Sequence, residues 1–165
     1  EFNTQNQLRF LEKYAEFLQE ELSKKPPQPI SGVHLFLESL KSRFPESHLG
    51  VVTGNFRTTA TLKLSHAKLD HFFSDGGFGD DHRERVEIAK MAAVRFHHKL
   101  KVQCLPFLFG DTQSDMIAAL ANGFIPIGLA TGFSTKSDLK HWGAQKIIEH
   151  YELGDLLSWI QERLV

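Results

Sequence analysis

Little in this sequence would staple the chain covalently or hold it in a membrane. There is one cysteine, Cys104, so no internal disulfide can form. It sits beside the apolar run that starts at Leu105, and a buried thiol in reducing surroundings is expected. No apolar run approaches the ~20 residues that span a bilayer. Neither sign of charge is in surplus: 19 Lys and Arg face 20 Asp and Glu, a formal net charge of −1. Binders of nucleic acid or other polyanions draw their affinity from surplus Lys and Arg, so that class is excluded. No signal or transit segment is recognisable, which leaves the cytoplasm as the expected location. Repeats and low-complexity tracts are missing, and the chain opens on Glu1-Phe2-Asn3 rather than methionine.

What is present is a chain of 165 residues, 41% apolar, enough for one compact domain or one domain with a small appendage. A chain of this size buries roughly 70% of the surface its unfolded form exposes, so it folds without staples. Leu8, Leu11, Ala15, Leu18 and Leu22 recur at three- and four-residue steps, and Phe10, Tyr14 and Phe17 widen that helical face. Lys24-Lys25-Pro26-Pro27 ends the helix, and Pro26 to Pro29 reads as a linker. So wide an apolar face is expected to pack on something, or to mediate pairing between chains.

From Ile30 onward, helices and apolar strands alternate. Helices are expected at about Gly32–Phe44, Arg57–Lys68, Val86–Leu100, Ser114–Ala121, a stretch ending at Trp142, and a last one through Leu153, Leu157 and Leu164. Strands are expected at Leu49–Val52, Leu105–Phe109, Phe124–Ala130 and Lys146–Ile148, with Ser74–Asp81 a Gly/Asp-rich loop. Strands that are apolar throughout, between amphipathic helices, imply an α/β fold with a parallel sheet covered on both faces. Ligands bind such sheets at the carboxyl ends of the strands. The polar residues there are Thr53-Gly54-Asn55, Gly110-Asp111-Thr112-Gln113-Ser114-Asp115 and Thr131-Gly132.

Asp111 and Asp115, with Thr and Ser oxygens nearby, suit a hard cation such as Mg²⁺. A purely structural reading makes both carboxylates helix caps. Thr53 and the backbone N–H groups after Gly54 and Asn55 suit an anion such as phosphate at a helix start, or else form an ordinary capped turn. The nine histidines, His97-His98 included, show no metal-binding spacing and are expected at or near the surface. Arg83-Glu84-Arg85 reads as a solvated helix start.

Leu49-Gly50-Val51-Val52-Thr53-Gly54-Asn55 and Phe107-Leu108-Phe109-Gly110-Asp111-Thr112-Gln113-Ser114-Asp115 resemble motifs II and IV of the haloacid dehalogenase (HAD) superfamily. Gly128–Gly132, Ser137-Asp138-Leu139, Gly143-Ala144 and Leu153–Leu157 resemble its last strands and helices, and the phosphoglycolate-phosphatase-like branch is nearest. The resemblance runs from about Pro29 to Val165. It implies a HAD-like Rossmannoid three-layer fold with a remnant of a helical cap: residues 1–26 as the last cap helix, and 27–165 as the core without its first, nucleophile-bearing strand. It further implies a Mg²⁺-dependent phosphatase acting on a small phosphomonoester through an aspartyl-phosphate. In that scheme Thr53 bonds the transferring phosphoryl group beside Gly54 and Asn55, Asp111 holds Mg²⁺ and Asp115 supports it. The charge-offsetting cation of motif III is either Lys63, slightly favoured, or Arg85.

No apolar strand ending Asp-x-Asp-x-Thr lies anywhere in the 165 residues, and Asp75 and Asp80-Asp81 are no substitute. The resemblance therefore implies a nucleophile upstream of residue 1 and an inactive chain without it. The alternatives are a dehalogenase of the same superfamily, a degenerate member that binds without reacting, or a receiver-like domain phosphorylated on Asp111. A receiver is disfavoured because Thr53 precedes the acidic strand end instead of following it.

Overall fold

A computed structural model describes residues 4–101, 104–132, 134–149 and 153–164. Helices and strands alternate: α1 (Thr4–Lys24), α2 (Val33–Arg43), β1 (Gly50–Val52), α3 (Arg57–His66), β2 (Asp75–Gly77), α4 (Arg85–Leu100), β3 (Phe107–Gly110), α5 (Gln113–Ala121), β4 (Ile125–Leu129), α6 (Lys136–His141), β5 (Lys146–Ile148) and α7 (Leu153–Gln161). All strand pairs are parallel, as the apolar runs at β1, β3 and β4 implied. The strands form two sheets, one of order β1-β2 and one of order β3-β4-β5.

Alternation along β3 sends its side chains to two faces. Leu108 packs with Ala89 of α4 and Ala118 and Ala119 of α5. Phe107 and Phe109 turn the other way, onto a core of Phe36, Leu37 and Leu40 from α2 and Leu156, Leu157 and Ile160 from α7. Helices thus cover both faces, giving the three-layer α/β arrangement. Val52 of β1 packs on the same α4/α5 cluster as Leu108, so these two helices serve both sheets.

Two expectations need correction. The Gly/Asp-rich segment read as a loop contains β2, paired Gly50 to Asp75, Val51 to Gly76 and Val52 to Gly77. Asp-Gly-Gly has almost no strand propensity. A Cβ on Gly77 would lie 2.0 Å from the carbonyl oxygen of Ile88, so glycine is what lets α4 rest directly on the strand. Cys104 is exposed, not buried, because β3 begins three residues later, at Phe107. The leucine face of α1 packs on the rest of the chain, as expected: Leu11 and Leu18 are half-buried and Leu22 is buried, with α1 against α3. Phe10 and Phe17 stay exposed, and Phe10 stacks on Tyr14. The side chain of Leu8 and residue Phe133 lie outside what is described.

The loop from β2 to α4 is fixed by charge. Arg95 of α4 grips Asp81 with two bonds of 2.6 and 2.5 Å and donates a third, at 2.6 Å, to the carbonyl of Gly76. The hydrogen bond from the Arg95 guanidinium holds the Asp81 carboxyl below its ordinary value of 3.8, and that carboxylate also accepts the Phe78 N–H. A pKa depressed on folding gives stability that is present above the unfolded value and is lost as pH falls through the folded one. Asp81→Asn is therefore expected to cost about 2 kcal/mol at neutral pH. In urea melts, the gap between the two proteins should close as the pH drops below about 4.

Candidate active site at the strand ends

The site is assembled where β1 and β3 end. After β1, Thr53 donates its N–H to the Gly77 carbonyl at 3.1 Å, which holds it in line with the sheet. The chain turns at once, and the Asn55 N–H (3.1 Å) and Nδ2 (2.9 Å) both donate to Thr53 Oγ1. Lys63, eight residues on and two turns along α3, donates from Nζ to Asn55 Oδ1 at 2.9 Å. Open space surrounds the Cα of exposed Gly54, so the turn admits a close approach from outside. The Asn55 carbonyl accepts the Gly79 N–H at 2.8 Å, tying this turn to the β2–α4 loop.

At the end of β3, Thr112 is the N-cap of α5. Its Oγ1 accepts the Asp115 N–H at 3.2 Å, while its hydroxyl (2.7 Å) and N–H (3.2 Å) donate to Asp115 Oδ2. This is a capping box, with the carboxylate in the first turn where the helix dipole favours it. Arg85 occupies the other oxygen: its Nε lies 3.0 Å from Asp115 Oδ1, with side chains 29% and 8% exposed respectively. The same guanidinium donates from Nη1 to the Val52 carbonyl at 3.1 Å. In the β1–β2 ladder it is Leu49 and Thr53 that bond toward β2, so the carbonyl of Val52 points the opposite way. Arg85 thus joins the outer edge of β1 to the helix that follows β3.

Asp111 is half-buried, and among the described residues its carboxylate takes part in no hydrogen bond or ion pair. The Ser134 hydroxyl donates to the Asp111 main-chain carbonyl. A Cβ on Gly132 would lie 2.5 Å from Asp111 Oδ2, so the loop after β4 passes directly over this carboxylate.

Most residues expected at the site fall into two linked groups, with the Asp111 carboxylate bonded to neither among the described residues. Thr53, Asn55 and Lys63 form one, and Arg85 and Asp115 the other, joined through the Val52–Thr53 peptide. Asp115 does play the capping part that the structural reading gave it, with an ion pair in addition. Arg85 is no solvated helix charge, because a buried carboxylate draws it inward, whereas Arg83 and Glu84 are exposed as expected. Thr112 was legible from the Thr-x-x-Asp spacing of a capping box. Ser134 and Gly132 carry no local signal, since their role depends on β4 lying beside β3.

Mg²⁺ takes oxygen ligands and commonly one or two carboxylates, with water and substrate completing the shell. Asp111 fits that pattern. Asp115 is already committed to Arg85 and Thr112, and among the described residues no three acidic, His or Cys side chains gather as a metal site. An ion bound here would rest on Asp111, since Asp115 is held by Arg85 and Thr112. No helix among the described residues is long and apolar enough to cross a membrane.

Removing the cation would leave a buried carboxylate unpaired. Arg85→Met is expected to lower the unfolding free energy by about 3 kcal/mol, measured by urea denaturation. Arg85→Met combined with Asp115→Asn, which removes the charge but keeps an oxygen for Thr112, should recover part of that loss in the same measurement.

Three solved structures share the fold. A predicted phosphoglycolate phosphatase from Haemophilus somnus matches with a TM-score of 0.69 and 22% identity, over 98% of this chain and 69% of its own. A haloacid dehalogenase-like family hydrolase from Streptococcus pneumoniae matches at 0.66 and 21%, over 81% and 60%. A predicted phosphatase from Clostridium acetobutylicum matches at 0.65 and 25%, over 80% and 59%. The chain thus spans about 60% of the length of the last two. No curated protein matches it. The family model for haloacid dehalogenase-like hydrolases matches residues 1–128, most of the chain and all of the β1 and β3 strand ends just described, and the chain belongs to that family.

Proposed function

We propose that this chain supplies the binding and charge-balancing half of a phosphatase site for a small phosphomonoester. The observation that carries the reading is the division of labour between two carboxylates one helical turn apart. Asp115 is neutralised by Arg85, while the Asp111 carboxylate at the end of β3 has no hydrogen-bond or ion-pair partner among the described residues, and Arg85 ties this strand end to the Val52 carbonyl just before Thr53. In this role Thr53 donates to a phosphoryl oxygen, while the first N–H of α3, that of Arg57, is held by Asp80 Oδ1 at 2.7 Å. Arg85, rather than Lys63, offsets the negative charge of the acidic strand end, because its guanidinium touches Asp115. Bound at Asp111, Mg²⁺ would neutralise charge on the phosphoryl oxygens.

The reading places the nucleophilic aspartate on a further parallel strand between β1 and β3. It is supported by the separation of the two sheets and by the Val52 carbonyl, which points away from β2 and bonds a side chain instead of a strand. In this scheme residues 27–165 are the core without that strand. Residues 1–26 are the last helix of a cap, set off by Pro26 and Pro27 and laid on α3. The named similarities of the Haemophilus somnus and Clostridium acetobutylicum proteins favour phosphate esters over other substrates of the family.

Residues 1–165 alone are expected to release no phosphate from p-nitrophenyl phosphate, with or without Mg²⁺. Joined to a segment bearing an apolar strand and its aspartate pair, the chain should do so. Asp111→Asn should then lower kcat/KM by about a hundredfold, equivalent to ~2.7 kcal/mol. Turnover by the 165 residues alone would overturn the placement of the nucleophile, and indifference to Asp111→Asn would overturn the role of that carboxylate.

A further inference from the structure

The Thr53 turn is built so that its hydroxyl has one direction left to point. A threonine hydroxyl has two lone pairs and one proton. Both lone pairs of Thr53 Oγ1 face donors of Asn55, the backbone N–H at 3.1 Å and the side-chain Nδ2 at 2.9 Å. The proton must then be given away, and among the described residues it meets no acceptor. Asn55 could in principle turn its amide and offer Oδ1 instead, which would draw the proton of Thr53 inward. Lys63 prevents this. An ammonium group only donates, so the atom 2.9 Å from Nζ must be the amide oxygen, and the NH₂ is left facing Thr53. The main chain of Asn55 is itself anchored through its carbonyl to the N–H of Gly79.

We propose that Lys63 and Asn55 are positioning residues that make Thr53 an obligate hydrogen-bond donor, aimed at an anionic oxygen of the ligand. The relay runs in one sense: Lys63 Nζ–H to Asn55 Oδ1, Asn55 Nδ2–H to Thr53 Oγ1, Thr53 O–H to the anion. An anion bound at Thr53 meets a proton already presented and needs no hydroxyl reorientation, which is the preorganisation that strengthens charge-assisted bonds. Lys63 thereby acts on the ligand through an amide and not as its counter-charge, which falls to Arg85. The inference rests on the phosphate-ester reading above.

The test is a double-mutant cycle on the intact protein, with inorganic phosphate as the probe and its dissociation constant read by calorimetry at fixed Mg²⁺. Thr53→Val, of nearly equal volume, should weaken phosphate binding by about tenfold. Lys63→Met should weaken it by about threefold to tenfold, and Lys63→Arg, which still donates, should restore most of the loss. In the Thr53→Val background, Lys63→Met should add nothing measurable. If Lys63→Met weakens binding equally in both backgrounds, the lysine acts on the anion by charge alone and the relay is wrong. If Thr53→Val weakens binding but Lys63→Met does not, the relay is again wrong, while the phosphate site stands. If Thr53→Val itself leaves phosphate binding unchanged, the phosphate-ester reading fails at this turn, and the relay fails with it.

Discussion

A carboxylate buried as deeply as that of Asp115 is tolerated only with a cation beside it, and Arg85 is that cation. The pair does more than cancel charge. Asp115 belongs to the first turn of α5 and fixes that helix on the end of β3 through Thr112. Arg85 opens α4 and holds the last carbonyl of β1. One guanidinium therefore ties together two sheets that share no backbone ladder among the described residues. The shared packing of Val52 and Leu108 on α4 and α5 supplies the apolar part of the same connection.

With that link in place, the polar strand ends sort by what each has left to offer. Asp115 has both oxygens engaged. Asp111, four residues earlier and on the near side of the cap, keeps its carboxylate clear while its backbone carbonyl is held by Ser134. Thr53 keeps only a proton. A site that binds an anion through a cation needs both kinds of group, an acceptor for the metal and a donor for the anion, and these residues supply one of each.

Much of this was legible in the sequence because buried parallel strands read as unbroken apolar runs. Phe107–Phe109 and Phe124–Ala130 announced themselves that way, and the polar residues after them marked the strand ends. The end of the helix at Ala121 was equally plain, and it is capped by Asn122 and followed by Gly123 at a positive φ of 69°. Asp75–Gly77 was illegible for the opposite reason: its strand character comes from β1 on one side and the backbone of α4 above, not from its own side chains. Arg85 and Lys63 could not be separated from spacing alone. Each lies near the start of its helix or a few turns in, and what distinguishes them is which polar group the fold sets opposite. Cys104 misled because adjacency to an apolar run says nothing about where the strand itself begins.

The glycines of β2 also bear on how the chain comes together. A strand of Asp-Gly-Gly has no apolar side chain to hold it against β1, only the Asp75 carboxylate paired with Arg57 of α3, and α4 has no surface to rest on there until β2 is in place. Strand and helix must therefore consolidate in one cooperative step. Pairing with β1 also closes the whole α3 crossover, with its loop entropy. Pairing between strands so separated in sequence is expected to form after the local helices.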